Sequence, residues 1–208
     1  MTYTENPFDW NSFLRVFSRD LLERLEDDEF TNLAPEIINT KWLGYPGLIQ
    51  DEIISLENSL ETVLPNSYRN FLAASNGWKM LDIEDTKLWS KQQVGWLASK
   101  NQELINDWTE FTSEDDSDIP DEEYFVYGEE QDSTSLRNEY LQTALEIGND
   151  GDGGVILLNP QIKFEEEWEA WFFASWLPGA ERYKSFQNLI QEKYNYLLEC
   201  PKLRNINL

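Results

Sequence analysis

The stretch from Trp42 to Trp78 constrains the fold most, because its apolar residues predict two amphipathic helices joined at Pro65. Asp51 is placed to cap the first helix, with Glu52 in its positive first turn. The residues predicted to share the apolar side of the first helix are Ile53, Leu56, Leu60 and Val63. Those of the second helix are Tyr68, Phe71 and Leu72, and Asn76-Gly77 ends it. These helices predict a scaffold rather than a chemical activity.

Helices are also predicted at both ends of the chain. Apolar spacing predicts a helix from Phe8 to Glu29 that frays at its acidic end, because negative charge is unfavourable at a helix C-terminus. A short helix over Leu33–Asn39 and a final helix over Tyr183–Leu198 complete the set. We predict an N-terminal helical extension over residues 1–40, a domain over 41–200 and a tail over 201–208.

Strands are predicted between these helices. The predicted strands are Leu141–Ile147, the near-continuous apolar run Val155–Leu158, and its antiparallel partner Trp168–Ala174. A loop over Pro160–Glu167 joins the last two, and alternation places Glu167 and Glu169 in solvent with Trp168 in the core. The chain is therefore predicted to be α+β, with an antiparallel or mixed sheet packed by helices.

Negative charge dominates the composition. The 208 residues include 40 acidic and 16 basic side chains, which give a net charge of −24. Nine Trp, nine Tyr and eleven Phe nevertheless favour a folded chain, since disordered acidic chains are poor in aromatic residues. Such a charge disfavours nucleic acids and anionic membranes and attracts basic proteins. Solubility alone is the alternative reason for it.

The acidic residues are concentrated between Lys100 and Arg137, where thirteen occur without a basic one. The apolar run Tyr124–Tyr127 interrupts them and predicts a strand. An acidic loop with embedded aromatic residues suits a surface offered to a basic protein, and a solvated loop with one anchoring strand is the alternative. The candidate partner-binding residues are Asp115, Asp116, Asp118, Asp121, Glu122 and Glu123, with Tyr124 and Tyr127 as possible anchors.

Residue types needed for common catalytic sites are missing from the sequence. The chain has no histidine and a single cysteine, Cys200, which excludes His-dependent triads, His-containing metal sites and thiolate clusters. The turn Asn149–Gly153 does not fit the ligand spacing of a calcium loop. We predict no catalytic residue, no cofactor and no metal. One thiol, without a signal peptide or an apolar span, predicts a cytoplasmic protein.

The order of several residues resembles the SUKH superfamily, which includes the fungal Smi/Knr cell-wall regulators and many bacterial immunity proteins of polymorphic toxin systems. The first block is Trp-Leu-Gly, Ile-x-x-Leu-Glu, Leu-Pro-x-x-Tyr-Arg-x-Phe-Leu and Ser-Asn-Gly. The second block includes Leu-Leu-Asn-Pro and Glu-Trp-Glu-Ala-Trp. The matching scaffold positions are Trp42, Gly44, Leu64, Pro65, Tyr68, Phe71, Leu72, Asn76, Gly77, Trp168 and Trp171.

The resemblance implies a non-enzymatic protein-binding module with the same α+β architecture. It implies most directly an immunity protein that neutralises a cognate toxin by binding it, and a basic nuclease or deaminase would suit the charge of this chain. The alternatives are a regulatory scaffold like the fungal relatives and a hydrolase that uses carboxylates alone.

Overall fold

The computed structural model describes residues 8–83, 86–111, 119–174, 177, 179–204 and 206. The helices and strands follow along the chain as α1 Trp10–Leu22, α2 Asp27–Asn32, α3 Pro35–Thr40, α4 Gln50–Leu60, α5 Asn66–Ala74, β1 Lys87–Leu88, β2 Gly95–Trp96, α6 Leu97–Lys100, α7 Gln102–Phe111, α8 Asp121–Tyr124, β3 Leu145–Asn149, β4 Val155–Phe164, β5 Glu167–Phe173, β6 Ala180–Tyr183 and α9 Phe186–Glu199. Short 3₁₀ turns span Gly128–Glu130 and Asn138–Thr143.

The six strands form one sheet, and every strand pair in the described part of the chain is antiparallel. The order is β1-β3-β4-β5-β6, and β2 pairs with β3 on the same side as β1. This arrangement of helices on an antiparallel sheet confirms the predicted α+β class. The predicted loop over residues 160–167 is wrong, because β4 continues to Phe164 and pairs with Glu167 across a two-residue turn. Glu165 in that turn has a φ of +57°.

One face of the sheet, called here the first face, packs against four helices. Its buried strand side chains are apolar: Leu145, Ile147, Ile156, Leu158, Ala170 and Phe172. Helices α1, α4, α5 and α9 cover them with their own buried apolar residues. Trp10 of α1 lies 5.6 Å from Phe71 of α5 and 5.6 Å from Phe186 of α9, measured between ring centroids. The two helices predicted around Pro65 thus form part of the larger core.

The opposite side of the sheet, called the second face, carries both apolar and polar buried side chains. Its apolar strand residues are Val155, Leu157, Trp171, Phe173 and Ala180, and they pack with residues of α6, α7 and the segment 136–144. Its buried polar strand residues are Glu146, Asn159, Glu169 and Arg182. Because strand side chains alternate between faces, these four polar residues share the face of the smaller core.

The N-terminal helix differs from its prediction in how it ends. Helix α1 stops at Leu22, and α2 begins after Glu26 in a capping box formed with Glu29. The acidic run therefore lies at the start of a second helix, where the helix dipole favours it, and the predicted fraying is wrong. The predicted boundaries near residues 40 and 200 stay predictions. Trp10 lies in the first-face core, and the backbone N–H groups of Leu203 and Arg204 donate to the carbonyl of Glu23.

Two further local predictions are corrected. Helix α4 begins at Gln50 after Ile49, so Asp51 is not its cap, and it ends at Leu60 with Val63 beyond it and 68% exposed. The predicted strand over 124–127 is replaced by the end of α8 and a connection to a 3₁₀ turn. Tertiary contacts of the two tyrosines in this segment outweigh the β-propensity of the run.

Helix length in the described residues bears on membrane insertion. No helix there is both long and apolar enough to cross a bilayer.

Candidate functional site

We call residues 119–132 the acidic segment. It includes α8, where three acidic residues occupy the first helical turn. Asp121 forms an ion pair with Arg137, with 2.5 Å between the Oδ1 and Nη2 atoms, although the Asp121 side chain is 74% exposed. Glu123 accepts a hydrogen bond of 2.7 Å from the Ser135 hydroxyl. Two of the predicted contact acids are therefore fixed in position while their surroundings remain open to solvent. Asp115, Asp116 and Asp118 lie outside the described residues.

Tyr124 is not an exposed anchor, because its side chain is completely buried. Its hydroxyl donates a 2.7 Å hydrogen bond to Glu169 Oε2. The guanidinium carbons of Arg182 and Arg137 lie 4.2 and 4.5 Å from the centroid of its ring. Burial and the neighbouring Glu169 carboxylate raise the pKa of Tyr124, so the hydroxyl stays a donor. Tyr124 holds α8 onto the second face and cannot touch a partner in this conformation.

Tyr127 makes the same connection from the other end of the segment. Its hydroxyl donates a 2.7 Å hydrogen bond to Glu169 Oε1, and the residue is half-buried. Burial and Glu169 also raise the pKa of Tyr127. The two predicted anchor tyrosines therefore converge on one carboxylate beneath the surface, which fixes the short chain between them.

Glu169 is the centre of this polar cluster and has no exposed surface. Besides the two tyrosines, Asn159 Nδ2 and Trp171 Nε1 donate to its Oε2 atom at 2.9 and 2.8 Å. Arg182 Nη1 lies 3.8 Å from Oε1 and donates to the carbonyl of Tyr124. Four donors and one cation compensate the buried charge, as a carboxylate in a low-dielectric interior requires.

Arg182 is the least satisfied member of the cluster. Its side chain is fully buried, and its Nε and Nη2 atoms have no hydrogen-bond partner among the described residues. The guanidinium instead stacks on aromatic rings, with Tyr127 5.5 Å away in addition to Tyr124. Cation–π contact replaces part of the missing hydrogen bonding.

The predicted solvent exposure is wrong for Glu169, and Glu167 is half-buried. Glu169 is buried as described, and Glu167 accepts hydrogen bonds from the backbone N–H and the hydroxyl of Ser67 at 2.8 and 2.5 Å. Ser67 lies in the first turn of α5, so Glu167 caps a helix that is far away in sequence. Both carboxylates are occupied by internal hydrogen bonds, an arrangement that suits structural roles better than attack on a glycoside.

A sequence signal for the buried carboxylate does exist. Strand β5 reads Glu-Trp-Glu-Ala-Trp-Phe-Phe and is buried from Trp168 to Phe173. Large apolar residues at positions of both parities indicate a strand covered on both faces. A carboxylate inside such a strand must be paired, and Arg182 on the next strand is a suitable partner.

The exposed surface above this cluster is acidic with one apolar residue. We call it the acidic surface, and it comprises Asp121, Glu122, Glu123, Phe125, Glu129 and Glu130, all of them exposed. Phe125 is 40% exposed, and its ring lies 5.3 Å from the Tyr124 centroid in an edge-to-face contact. The segment also covers the outer edge of β6, where Gln131 exchanges hydrogen bonds with the backbone of Arg182. In the described residues, no group of three Asp, Glu or Cys side chains is arranged to hold a metal ion.

Comparison with known protein families identifies the family of this chain. The profile of the SMI1 / KNR4 family (SUKH-1) matches residues 47–192, more than two thirds of the 208-residue chain. The chain belongs to the SMI1 / KNR4 family. No curated protein matches the sequence. Membership confirms the resemblance to the SUKH superfamily and supports an immunity protein or a related interaction module.

Several positions predicted to belong to the family scaffold lie in the first-face core of this SUKH-1 domain. Leu64, Tyr68, Phe71 and Leu72 are buried at 2% exposure or less, and Trp168 extends the same cluster from the sheet. Trp171 lies in the smaller core of the second face. Trp42 and Gly44 precede the matched range, as do α1, α2 and α3. These predicted scaffold positions therefore lie in the two cores, whereas the acidic surface lies on the segment that covers the second face.

One scaffold glycine shows why its residue type is needed. Gly77 has a φ of +96°, and a Cβ atom there would lie 2.8–2.9 Å from the backbone of residues 88–90. Both the backbone conformation and the close approach of the β1 segment exclude a larger residue in this SUKH-1 domain.

Proposed function

We propose that this SUKH-1 domain is an immunity-type protein that binds a cognate basic toxin domain through its acidic surface. The observation that carries the proposal is the acidic surface itself, a set of exposed carboxylates on a segment that Tyr124 and Tyr127 attach to the Glu169 cluster. A backbone segment that is already ordered loses little conformational entropy on binding, which favours affinity. A toxin that handles nucleic acid needs a cationic groove, and a rigid anionic surface can occupy such a groove.

In the acidic surface, charged and apolar residues would contribute differently to binding. Exposed charges accelerate encounter with a cationic partner, and this effect falls as salt screens them. Affinity depends more on a few buried anchors. Phe125 is the apolar residue of the acidic surface, and we assign it the anchor role that was predicted for Tyr124 and Tyr127. The predicted contacts at Asp115, Asp116 and Asp118 remain part of the proposal.

Charge reversal tests the proposal once the partner is isolated by co-purification from the native host or expressed from a neighbouring gene. The variant Glu122→Lys/Glu129→Lys/Glu130→Lys leaves Asp121 and Glu123, which have internal partners, unchanged. We expect its association rate with the basic toxin to fall at least tenfold at low salt, with a smaller change at high salt. Stopped-flow fluorescence or surface plasmon resonance would measure both rates.

A matched control separates the acidic surface from net charge. Glu61→Lys/Glu166→Lys/Glu199→Lys changes the same number of exposed acids elsewhere on the chain. We expect this control to reduce the rate much less, because screening limits each charge to its surroundings. Equal effects of the two triple variants would reject the acidic surface as the contact.

Phe125→Ala should mainly increase the dissociation rate.

A regulatory scaffold is the second candidate, and the family match favours it because the family includes the fungal Smi/Knr regulators. Co-purification distinguishes the two roles. One tight basic partner whose toxicity is suppressed on co-expression supports an immunity protein. Several housekeeping proteins, with no suppression of toxicity, support a scaffold.

A further inference from the structure

A groove at the β1 end of the sheet is lined by several lysines and aromatic residues. It has a volume of about 700 Å³ and is open to solvent on one side. Its walls include Lys79, Lys87 and Lys100, the aromatic residues Tyr45 and Trp89, and no carboxylate among the described residues. Three of only 16 cationic side chains therefore gather in one groove of a protein with 40 acidic residues.

Aromatic rings and backbone carbonyls hold two of these lysines in place. Lys100 Nζ lies 3.1 Å from the Trp89 ring centroid and donates a 2.7 Å hydrogen bond to the carbonyl of Gln93. Lys79 Nζ lies 4.7 Å from the Tyr45 centroid and donates a 3.2 Å hydrogen bond to the carbonyl of Gly44. An ammonium group has three donors, so each lysine retains capacity for an anionic ligand.

The electrostatics of Lys100 favour an additional negative charge. Glu146 is the carboxylate that pairs with it, 3.6 Å away and behind the groove in the sheet. Burial lowers the pKa of Lys100 even though Glu146 acts in the opposite direction. A carboxylate that enters the groove would further stabilise the charged ammonium group.

We propose that this groove binds a short acidic peptide segment of a partner protein, with carboxylates on Lys79 and Lys100. Its volume falls in the range of sites that accept ligands of this size. Gln93 and Asn149 on the walls offer amide groups to a peptide backbone. A nucleotide fits less well, because each lysine covers a face of the aromatic ring on which a base would stack.

The groove does not depend on the acidic surface. Strand β1 is at one end of the strand order, and β6, which the acidic segment covers, is at the other. The Debye length of about 8 Å at physiological salt limits repulsion between a bound acidic peptide and the acidic surface at the opposite end. The proposal that the groove binds a peptide therefore goes beyond the proposed function. Experiments can support or reject it independently of the acidic surface.

A fluorescein-labelled hexaglutamate peptide is a suitable probe, with binding followed by fluorescence anisotropy at low and physiological salt. We expect Lys79→Gln to weaken binding about three- to tenfold, and Lys79→Arg to retain it, since charge at this position is the requirement. Lys163→Gln removes one exposed lysine outside the groove and should change the affinity by less than about twofold.

Lys100→Gln should weaken binding to a similar extent. It also removes the partner of Glu146, so the thermal stability of this variant must be measured as well. If Lys100→Gln destabilises the fold, the result for Lys79→Gln decides the test. Absence of hexaglutamate binding at low salt overturns the proposal. Equal affinity of wild-type protein, Lys79→Gln and Lys163→Gln also overturns it. ATP can instead be compared directly: if it binds more tightly than hexaglutamate, and if Lys79→Gln and Lys100→Gln weaken that binding, the ligand is a nucleotide and the peptide proposal is wrong.

Discussion

The two faces of the sheet are covered by layers of different chemistry. The buried strand side chains of the first face that pack on α1, α4, α5 and α9 are apolar. The second face presents Glu146, Asn159, Glu169 and Arg182 together with its apolar residues, and all four are buried. The same strands thus provide a dry core on one side and a hydrogen-bonded layer on the other.

The two covering layers are positioned on the sheet by different kinds of interaction. Apolar packing on the first face is non-directional and tolerates substitutions that conserve volume. Hydrogen bonds on the second face are directional, and an unpaired partner is costly to bury. Tyr124 and Tyr127 can satisfy Glu169 in one arrangement of the acidic segment. We infer that the polar face fixes where the acidic surface lies.

Among the substitutions that test this inference, replacement of Glu169 should cause the largest loss in the free energy of unfolding. Glu169→Ala leaves Arg182 buried without its counter-ion and removes the acceptor of Tyr124, Tyr127, Asn159 and Trp171. We expect the free energy of unfolding to fall by about 3–5 kcal/mol. Urea denaturation followed by tryptophan fluorescence would measure it. Glu169→Gln retains one acceptor oxygen and should cost about 1–3 kcal/mol, which keeps the test usable if the alanine variant does not fold.

Leu158→Ala is the matched control from the first face. Leu158 is fully buried, and its loss should cost about 2–5 kcal/mol through a cavity. We expect hydrogen exchange over residues 121–131 to accelerate beyond the global change in Glu169→Gln and not in Leu158→Ala. The same exchange pattern in both variants would contradict the inference that the polar face positions the acidic surface.

The cap on α5 should have an intermediate effect. Glu167→Gln removes the charge that accepts hydrogen bonds from the N–H and hydroxyl of Ser67. We expect a loss of about 1 kcal/mol, because helix caps and charge–dipole contacts have this magnitude. A double-mutant cycle with Ser67→Ala, measured by urea denaturation, would isolate the pair. Strict additivity of the two substitutions would show that no coupling exists.

The pH dependence at Glu146 should be the smallest effect and has a defined sign. Burial raises the pKa of Glu146, although Lys100 acts in the opposite direction. Stability from this group is therefore present below the ordinary glutamate pKa and is lost as pH rises through the raised value. Glu146→Gln should be more stable than wild type at pH 7 by about 1 kcal/mol or less, with no gain near pH 4.

Thermal unfolding between pH 4 and 7 would measure this difference. Glu166→Gln, at an exposed position, makes the same change in net charge and serves as the control. A gain that is independent of pH, or equal in both variants, would show that burial of Glu146 is not its cause.

Elements with strong periodicity could be predicted from the sequence. The spacing of Tyr68, Phe71 and Leu72 predicts α5, and the apolar run from Val155 to Leu158 predicts a buried strand, because each pattern has one local explanation. The run Tyr124–Tyr127 predicts a strand by propensity and fails. Its tyrosine hydroxyls are satisfied by a carboxylate more than 40 residues away in sequence.

The two candidate sites also differ in whether they could be predicted from the sequence. The acidity of residues 121–130 is visible in the sequence, since charge is a property of composition. The groove could not be predicted, because Tyr45, Lys79, Lys87 and Lys100 become neighbours only when β1 and the segment after Trp78 come together. No local pattern records contacts of that kind.

The α+β class, the resemblance to the SUKH superfamily and the excess of negative charge follow from the amino-acid sequence, because these depend on local periodicity, motif order and composition. The tertiary structure alone decided that Glu169 lies inside the molecule, that Glu167 caps α5 and that lysines gather at β1. The physical reason is that burial and pairing of a charge depend on which distant segments cover it, and only the folded chain brings those segments together.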